Sequence, residues 1–506
     1  MSRQGDFFAD APPSFARPGA AQGRIAVIDV GSNSVRLVVF DGAGRAPAYF
    51  FNEKVACGLG ARIARTGALD PEGVARALET LGRFSELARR MHVAGLDAVA
   101  TAAVREARDG ADFCAEVRRR TGLSLRVISG DEEARLSALG VLVGEPKAEG
   151  AMADMGGSSM ELAALGGGAV GARTTLALGP QRLDGLSGAA LAKAIDGELR
   201  RSAMASYVRG RTLHLVGGAW RAFARIQMAR TGHPLHVLHG HAIEADAAAE
   251  AAEWVAAQSP EALRALSGVS AARATTAPLA ARVLARMLAV LAPARLAISA
   301  FGLREGAYFE QLPPEVRDRD PLIEAARVLE ATQARFPGFG EELARWSAPL
   351  AAEWTKRERR LNRAACLLND VNWRAHPDYR ATSCFETVTR ANLAGLDHAD
   401  RVYLGYALMQ RYGGGGPMRP PEIERALALM ADDGRQRAKA LGRAMRLGAM
   451  LSASTPGALA DAALTLDDGA VSLTLGPSAH RLNGELVARR LGALADALGR
   501  TPRVVA

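Results

Sequence analysis

The chain has 506 residues, of which 49% are hydrophobic and 23% are charged. This balance is ordinary for a globular protein of about three or four domains, and it excludes a chain that is mainly disordered. The 63 basic and 54 acidic residues give a formal net charge of +9. This surplus favours a polyanionic partner, such as nucleic acid, polyphosphate or an anionic membrane, unless it is only a generic basic surface.

The cysteines and the apolar stretches bear on the compartment. Four widely spread cysteines without a C-x-x-C pair predict reduced thiols rather than disulfides or a zinc site: Cys57, Cys114, Cys366 and Cys384. Residues 1–23 lack the apolar core of a signal peptide and are predicted to form a flexible tail. The best apolar stretch, near 283–291, is broken by Arg286 and is judged too short to span a bilayer. We therefore expect a soluble, cytoplasmic protein with no membrane partner.

Hydrophobic periodicity predicts two α/β lobes, at 24–144 and 145–312, with a cleft between them. The first lobe has strands near 24–30, 35–40, 96–101 and 125–129, and helices near 70–92, 109–120 and 131–143. The second has strands near 151–155, 159–165, 170–178, 212–216 and 295–299, and helices near 189–205, 219–231, 241–257 and 276–291.

After residue 312 the character of the sequence changes. Helical periodicity predicts an all-α domain over 313–455, with GGGGP (413–417) as a loop inside it. A small α+β domain over 456–506 has ALTLDDGAVSLTL as its hairpin. The segment TKRERRLNR places five cations on one predicted helix, either as a track for a polyanion or as a solvated face: Lys356, Arg357, Arg359, Arg360 and Arg363.

A turn that occurs twice is the most informative motif. AVIDVGSNSVRLVVF (26–40) and MADMGGSSMELAAL (152–165) each place an aspartate, Asp29 or Asp154, before a glycine and a small polar turn. The turn residues are Gly31, Ser32, Asn33 and Ser34 in the first copy and Gly156, Gly157, Ser158 and Ser159 in the second. Successive N–H groups of such a turn form a concave phosphate site, and aspartate supplies the hard oxygen that Mg²⁺ prefers.

One copy alone would indicate only a hairpin with Asx and serine turn chemistry. Two aligned copies predict a phosphate held in the cleft between the lobes. A third glycine turn, Gly217 and Gly218, follows a predicted strand, and by itself it indicates no more than the start of a helix.

The segment RVISGDEEARLSALGV predicts a helix just before the second turn. Ser129 and Glu132 fit a capping box, which leaves Glu133 free. Acidic residues in a first helical turn often serve only the helix dipole. If this turn faces the cleft, Glu133 is placed as a general base that orients or deprotonates water. Arg105, at the end of a predicted strand, either binds phosphate bidentately or is an ordinary surface arginine.

Histidine motifs give weaker signals. The segment HPLHVLHGH has no helical carboxylate partner, so packing and the start of a helix are favoured over a metal site for its four histidines: His233, His236, His239 and His241. Two other segments lack the adjacent His-Asp pair of a metal-dependent HD hydrolase, which argues against that class: His376-Pro377-Asp378 and His398-Ala399-Asp400.

Seven motifs in order resemble the exopolyphosphatase/guanosine pentaphosphatase family: DVGSNS, TAAVREA, VISGDEEARL, DMGGSSMEL, LVGGAWRAFA, PLHVLHGH and SAFGLREG. They span about residues 24–312, and LLNDVNWRAHPDYR looks like the domain that follows in the long exopolyphosphatases. The resemblance implies two actin-like (ribonuclease H-like) lobes, of the superfamily that includes acetate and sugar kinases, heat-shock ATPases and actin. It also implies a homodimer.

The same resemblance implies roles for individual residues. Glu133 matches the catalytic base, and Asp154 and Glu161 match the acids that organise metal and water. Asp29 lies in the first phosphate loop and is a further candidate metal ligand. Arg105 matches a phosphate-binding arginine, and all three glycine turns are candidate phosphate contacts.

The chain departs from the family pattern at three positions. The second loop of the family is usually D-I-G-G-G-S-T-E-L, whereas Ser158 here replaces the third glycine and Met160 replaces the threonine. Ala219 stands in the third turn where threonine is usual. We expect these changes to affect substrate preference more than chemistry.

Together these observations predict a phosphohydrolase, dependent on Mg²⁺ or Mn²⁺, that removes terminal orthophosphate from inorganic polyphosphate. The nearest alternative is hydrolysis of guanosine pentaphosphate to the tetraphosphate in the same site. Two other classes remain: a sugar or acetate kinase, which would need an acceptor hydroxyl, and a non-catalytic polyanion-binding regulator. We expect no membrane partner and no specific nucleic acid partner.

Overall fold

The computed structural model describes residues 23–42, 44–413 and 420–505. The predicted N-terminal tail, up to residue 22, and residues 414–417 of the predicted GGGGP loop lie outside this part. The chain divides into two compact units, unit 1 ending at Arg319 and unit 2 beginning at Asp320. The domain limits expected at 144, 312 and 455 stay predictions.

Unit 1 contains two β-sheets. The strands of sheet I are β1 (Ile25–Val30), β2 (Ser34–Phe40), β3 (Tyr49–Ala56), β4 (Gly95–Ala100) and β5 (Arg126–Val127). The strands of sheet II are β6 (Gly150–Met155), β7 (Met160–Gly166), β8 (Ala169–Leu176), β9 (Thr212–Val216), β10 (Ala242–Glu244) and β11 (Arg295–Ile298). Their spatial orders are β3-β2-β1-β4-β5 and β10-β11-β9-β6-β7-β8.

Fourteen helices of unit 1 accompany these strands in the described residues. They are α1 (Ile63–Thr66), α2 (Pro71–Arg90), α3 (Ala102–Glu106), α4 (Gly110–Thr121), α5 (Gly130–Gly144), α6 (Pro180–Leu183), α7 (Gly188–Arg201), α8 (Ala205–Val208), α9 (Gly218–Thr231), α10 (Ala245–Ala256), α11 (Pro260–Ser267), α12 (Ala271–Leu291), α13 (Leu303–Glu310) and α14 (Pro314–Arg317).

The two sheets repeat one topology, as the duplicated turn predicts. In each sheet a hairpin (β1–β2 or β6–β7) gains an antiparallel third strand, β3 or β8, and a parallel neighbour, β4 or β9. Strand β1 is buried except at Asp29, because a central strand with both faces covered is almost wholly apolar. Each sheet with its helices therefore forms one lobe, called lobe I and lobe II below.

Helices α5 and α13 connect the lobes. Helix α5 packs on β7 and β8 of sheet II, and α13 packs on β1 of sheet I and on α5. Their crossing is so close that a Cβ at Gly306 would lie 1.8 Å from the Leu136 carbonyl oxygen, and a Cβ at Gly140 would lie 2.2 Å from that of Gly302. Only glycine permits this approach.

Several elements differ from the sequence-based prediction. Strand β3 was missed because its side chains alternate between half-buried and exposed positions. The helix expected at 241–257 begins at Ala245, after the short strand β10. The apolar stretch near 283–291 belongs to the 21-residue helix α12, which by length and composition alone could cross a membrane. The prediction that it is too short was therefore wrong, and its apolar side chains pack in the core of lobe II.

Unit 2 is helical and ends in a small sheet, which confirms the predicted class. Its helices are α15 (Pro321–Gln333), α16 (Phe339–Trp346), α17 (Lys356–Leu367), α18 (Arg380–Arg390), α19 (His398–Arg411), α20 (Pro421–Leu427), α21 (Asp432–Ser452) and α22 (Glu485–Leu498), with 3₁₀ turns at Ala348–Ala351 and His480–Leu482. Its strands are β12 (Ala462–Leu466), β13 (Ala470–Leu475) and β14 (Thr501–Val505). The predicted hairpin is β12–β13, and β14, which was not predicted, pairs parallel to β13.

Helix α17 carries the predicted basic track. Three of the five cations form ion pairs with carboxylates of unit 2: Arg357 with Asp397 and Asp400, Arg360 with Asp320, and Arg363 with Glu341. Three of the five cations are therefore paired within the fold, and the role of this helix as a polyanion track stays a prediction.

Candidate active site

The two duplicated turns face each other across the cleft. A Cβ at Gly157 would lie 3.3 Å from the Ser32 Cβ, so the turns nearly touch. The cleft beside them is lined by residues of both lobes: Ser32, Gly60, Ile63, Ala103, Glu106, Ser158, Gln181 and Arg182. An ion pair of 2.5 Å between Arg182 and Glu106 joins the two walls.

The backbone of the turns is oriented for anion binding. Four turn carbonyls accept hydrogen bonds from surrounding loops: Ser32 from Gly60, Asn33 from Cys57 and Gly58, Gly157 from Gln181, and Ser158 from Gly179. In the part of the chain that the structure describes, the amides of the same four turn residues donate no hydrogen bond. With the carbonyls held from behind, these N–H groups remain available to phosphate oxygens.

Strand register places the acidic side chains. Asp154 is directly opposite Glu161 on the β6–β7 hairpin, and Asp29 is directly opposite Arg36 on β1–β2. Opposed residues of an antiparallel pair share one face of the sheet. The equivalent position therefore carries an acidic residue, Glu161, in lobe II and a basic residue, Arg36, in lobe I. Glu161 is only 1% exposed.

Helix α5 brings Glu133 to this group. Its N-cap is Ser129, whose hydroxyl oxygen accepts a hydrogen bond of 3.1 Å from the Glu132 amide. The Glu132 carboxylate, however, accepts hydrogen bonds from Arg135 and Arg126, so the capping box expected from the sequence is only half formed.

Glu133 is not free, contrary to the sequence-based expectation. Arg105 Nη1 lies 3.4 Å from Glu133 Oε2 and donates a hydrogen bond of 2.8 Å to the Ile128 carbonyl. Arg105 lies on the short helix α3 instead of at a strand end. The structure thus brings together the predicted base and the predicted phosphate-binding arginine.

The electrostatics of the carboxylates reflect burial. Burial, with a smaller contribution from the Asp154 charge, raises the pKa of Glu133 to about 7, and Arg105 opposes the shift. Burial also raises the pKa of Asp29, of Asp154 and of Glu161, and the Glu133 charge adds to the effect at Glu161. A group of neighbouring carboxylates with raised pKa values is typical of a site for proton transfer or for a bound cation.

Two neighbours fix Asp154: Ser137, which the sequence analysis did not identify, and Gly217 of the third glycine turn. Ser137, fully buried on α5 one turn after Glu133, donates a hydrogen bond of 2.7 Å to Asp154 Oδ2. On the other side, a Cβ at Gly217 would lie 2.6 Å from Asp154 Oδ1, and the φ of Gly217 is +101°. Glycine is therefore required there. The i, i+4 spacing of Glu133 and Ser137 was the available signal.

The Asp29 side of the cleft contains cations that the sequence analysis did not assign. Arg304 Nε lies 4.0 Å from Asp29 Oδ2, and burial together with Arg304 lowers the pKa of Arg36 to about 10. Five cations belong to this group: Arg36, Lys54, Arg221, Arg273 and Arg304. Arg273 lies against the third turn, since a Cβ at Gly218 would be 2.1 Å from its Nη2. Such a group can offset several negative charges of a ligand.

The acidic group fits a hard divalent cation. Its donors are all oxygens, which suits Mg²⁺ or Mn²⁺. Among the described residues, Glu161 Oε1 is a buried carboxylate oxygen without a hydrogen-bond partner, and such an atom is costly unless a ligand satisfies it. A cation held by Asp29, Asp154 and Glu161 would also relieve the repulsion that raises their pKa values.

The three departures from the family pattern do not all reach the cleft. Met160 and Ala219 are buried in the hydrophobic core of lobe II, whereas Ser158 lines the cleft and its Oγ has no partner among the described residues. Ser158 is thus the departure that can contact substrate.

Two histidines of the histidine-rich segment are buried, His239 and His241. His241 Nε2 lies 2.8 Å from Gln227 Oε1, and the His239 ring lies 4.7 Å from that of Phe301. His236, in contrast, is exposed.

Comparison with known proteins gives two adjacent family matches. Residues 37–315 match the Ppx/GppA phosphatase family, and residues 322–505 match the family described as "Exopolyphosphatase, C-terminal". Exopolyphosphatase 1 of Mycobacterium tuberculosis is 33% identical over 142 residues, or 28% of this chain and 41% of that protein. Exopolyphosphatase 2 of the same organism is 36% identical over 151 residues, or 28% of this chain and 47% of that protein. The chain spans less than half the length of these curated relatives.

Solved structures extend the likeness to the fold. An exopolyphosphatase from Cytophaga hutchinsonii has a TM-score of 0.51 at 21% identity, covering 57% of this chain and 99% of that one. The Ppx/GppA family member from Aquifex aeolicus has a TM-score of 0.50 at 24% identity, covering 57% of this chain and 97% of that one. These likenesses concern the fold alone, and they confirm the predicted α/β class.

Proposed function

This chain belongs to the Ppx/GppA phosphatase family, and we propose that it is an exopolyphosphatase, which removes terminal orthophosphate from inorganic polyphosphate. One observation carries the proposal. Glu133, an acid whose pKa burial raises to about 7, lies in a cleft whose two facing turns present unpartnered amides. The match of unit 2 to the exopolyphosphatase C-terminal family supports polyphosphate as the substrate.

The terminal phosphate is proposed to lie between the two turns. Its oxygens would accept hydrogen bonds from the amides of Ser32, Asn33, Gly157 and Ser158, and Arg105 would add a charged donor. The five cations on the Asp29 side would offset the charge of the following phosphates. These contacts hold the terminal phosphorus atom in place beside Glu133, so the attack becomes effectively intramolecular.

Glu133 acts as the base in this proposal. As the water oxygen bonds to the terminal phosphorus, Glu133 accepts a proton from the water, and the bond from phosphorus to the bridging oxygen breaks. The products are orthophosphate and a chain shorter by one phosphate. A pKa near 7 suits this task, because the carboxylate is ionised at working pH and yet basic enough to take a proton.

Asp29, Asp154 and Glu161 would hold Mg²⁺, or Mn²⁺, which when bound neutralises charge on the phosphate oxygens. Ser137 and Gly217 keep Asp154 in position for this role. We further propose a cytoplasmic homodimer: the four cysteines are free thiols, as in a reducing compartment, and the dimer rests on the family resemblance alone.

Phosphate release from polyphosphate, compared with release from guanosine pentaphosphate and with or without Mg²⁺, tests the proposal. We expect Mg²⁺-dependent release from polyphosphate at a higher kcat/KM than from the nucleotide. A higher kcat/KM for guanosine pentaphosphate would assign the alternative substrate to the same site. ATP consumption that depends on an acceptor hydroxyl would indicate a kinase, and binding without phosphate release would indicate a regulator.

The pH profile should depend on Arg105. Because Glu133 must be ionised to act as a base, kcat/KM is expected to fall as pH drops below about 7. The Arg105 charge lowers the pKa of Glu133, so Arg105→Gln should move this acidic limb to higher pH as well as weaken substrate binding. Arg126→Gln, which removes an arginine paired with Asp97 and Glu132, is the matched control. An unmoved limb in Arg105→Gln would contradict the pairing.

A further inference from the structure

An ion pair closes the cleft beside the two duplicated turns, and its two residues come from different lobes. Glu106 ends the short helix α3 of lobe I, and Arg182 lies on α6 of lobe II. Arg182 Nη2 lies 2.5 Å from Glu106 Oε2. Both side chains line the cavity that Ser32 and Ser158 of the turns also line. The pair therefore forms one wall of the space beside the proposed phosphate position.

The walls of this cavity are tied to the turns by backbone hydrogen bonds. The Gln181 amide donates a hydrogen bond of 2.9 Å to the Gly157 carbonyl, which connects α6 to the second turn. On the lobe I side, the Gly60 amide donates one of 2.8 Å to the Ser32 carbonyl. The turns and the cavity walls thus belong to one hydrogen-bonded framework, which fixes the size of the cavity.

The ion pair is also connected to the proposed base. Arg105 precedes Glu106 on α3, and its guanidinium lies 3.4 Å from Glu133 Oε2 and 3.9 Å from Glu106 Oε1. A row of alternating charges therefore runs from the base to the wall of lobe II: Glu133, Arg105, Glu106 and Arg182. The cavity closed by the pair is on the side of the turns where Glu133 would activate water.

The cavity is small. Its volume is about 20 Å³, counted as the space open to the centre of a water molecule, and one water molecule needs roughly 10–15 Å³ of such space. Room for about one water molecule leaves none for the carbon atoms of an alcohol. The lining also includes Ile63 and Ala103, whose side chains offer no hydrogen bond to an acceptor hydroxyl. The cavity is therefore poorly suited to hold any acceptor other than water.

We propose that the Glu106–Arg182 pair makes water the only acceptor of the phosphoryl group, because it excludes larger nucleophiles from the position beside Glu133. The inference rests on the proposed hydrolase function and names the feature that separates it from a phosphotransferase with the same phosphate turns. An alcohol that replaced the water would extend its carbon atoms into the cavity, where the pair blocks them. A specificity of this kind comes from a built-in obstacle and needs no added attraction for water.

Removal of the pair should permit transfer to a small alcohol. The alcohol oxygen would bond to the terminal phosphorus, its proton would pass to Glu133, and the bond from phosphorus to the bridging oxygen would break. The products are a phosphate monoester and a chain shorter by one phosphate. Because the pair is partly exposed and such pairs contribute little to stability, the fold should tolerate its loss.

The ratio of transfer to hydrolysis tests the proposal. Full-length protein is incubated with polyphosphate and either methanol or glycerol, and phosphorus NMR measures the phosphate monoester and the orthophosphate formed. The unaltered protein should form orthophosphate alone. In Glu106→Ala with Arg182→Ala, the ratio of monoester to orthophosphate should rise about tenfold or more above the background of the unaltered protein, which is the usual effect of making room for one carbon atom. A slower overall reaction does not alter this ratio.

The matched control removes an ion pair of lobe II whose residues do not line the cavity, in Arg230→Ala with Glu250→Ala, and should give orthophosphate alone. Arg182→Ala by itself shortens only one side of the wall, so it should give a smaller rise. This single variant decides the question if the double variant does not fold.

Three outcomes would overturn the proposal: transfer by the unaltered protein, no transfer by the variants that open the cavity, or an equal rise in the control. In each of them orthophosphate release by the unaltered protein would leave the proposed hydrolase function in place. If the unaltered protein releases no orthophosphate at all, the hydrolase function fails, and the inference that rests on it falls as well.

Discussion

Glu133→Gln is expected to reduce phosphate release from polyphosphate by about 10²–10⁴, which is the usual contribution of a general base. Glutamine keeps the shape of the side chain and its contact with Arg105, but it cannot accept a proton from water. The loss should therefore appear in kcat more than in KM. Steady-state kinetics on polyphosphate at saturating Mg²⁺ measure both.

Glu132→Gln is the matched control on the same helical turn. The Glu132 carboxylate is paired with Arg126 and Arg135, and partly exposed pairs of this kind contribute little to stability. The Ser129 cap on the Glu132 amide is a backbone contact, so it survives the change. We expect near-normal activity. Equal losses at positions 132 and 133 would remove the assignment of Glu133 as the base.

Stability provides a second control for Glu133. Burial raises the pKa of Glu133 above its unfolded value, so its protonated form stabilises the fold at low pH and this contribution is lost as pH rises through about 7. At pH 8 the buried carboxylate is charged and costs stability. Glu133→Gln should therefore keep or raise the melting temperature at pH 8. A large fall would mean that the kinetic loss reflects unfolding.

The core of this site could be predicted because two short-range patterns specify it. The repeated Asp-x-Gly turn fixed two hairpins, and an antiparallel register then determines that Asp154 and Glu161 share a face. The position of Glu133 follows from a helix that begins just before the second hairpin. Local turn chemistry and strand periodicity are sufficient for these placements.

Most cations of the cleft could not be predicted, because they come from elements far apart in the sequence. Arg36 is the exception, since it lies opposite Asp29 on the β1–β2 hairpin. Arg273 lies on α12 and Arg304 on α13, and only the packing of the two lobes brings these two near Asp29. The ion pairs of α17 could not be predicted for the related reason that a cation run says nothing about the carboxylates that fold onto it.

Asp154→Asn is expected to abolish measurable phosphate release at practical Mg²⁺ concentrations. The change keeps the volume but removes the charge that a hard cation requires, and metal stabilisation of phosphate charge is a matter of several kcal/mol, or about 10²–10³ or more in rate. Titration of activity with Mg²⁺ and Mn²⁺, with excess EDTA as the blank, measures this. Full activity in EDTA would contradict the metal role.

Ser137→Ala gives the graded counterpart of the Asp154 prediction. It leaves the carboxylate in place and removes only the hydrogen bond of 2.7 Å that orients Asp154 Oδ2. Loss of such a supporting contact typically weakens metal affinity by about 10–100-fold. The affinity for Mn²⁺ can be measured directly from the spectrum of the free ion. It should therefore be lower in Ser137→Ala than in the parent, and no binding should be detected in Asp154→Asn. Activity of the serine variant should recover at high Mg²⁺, whereas that of the aspartate variant should not. If Mn²⁺ binds equally to both variants and to the parent, the metal lies elsewhere and Asp154 acts on the phosphate or the water directly.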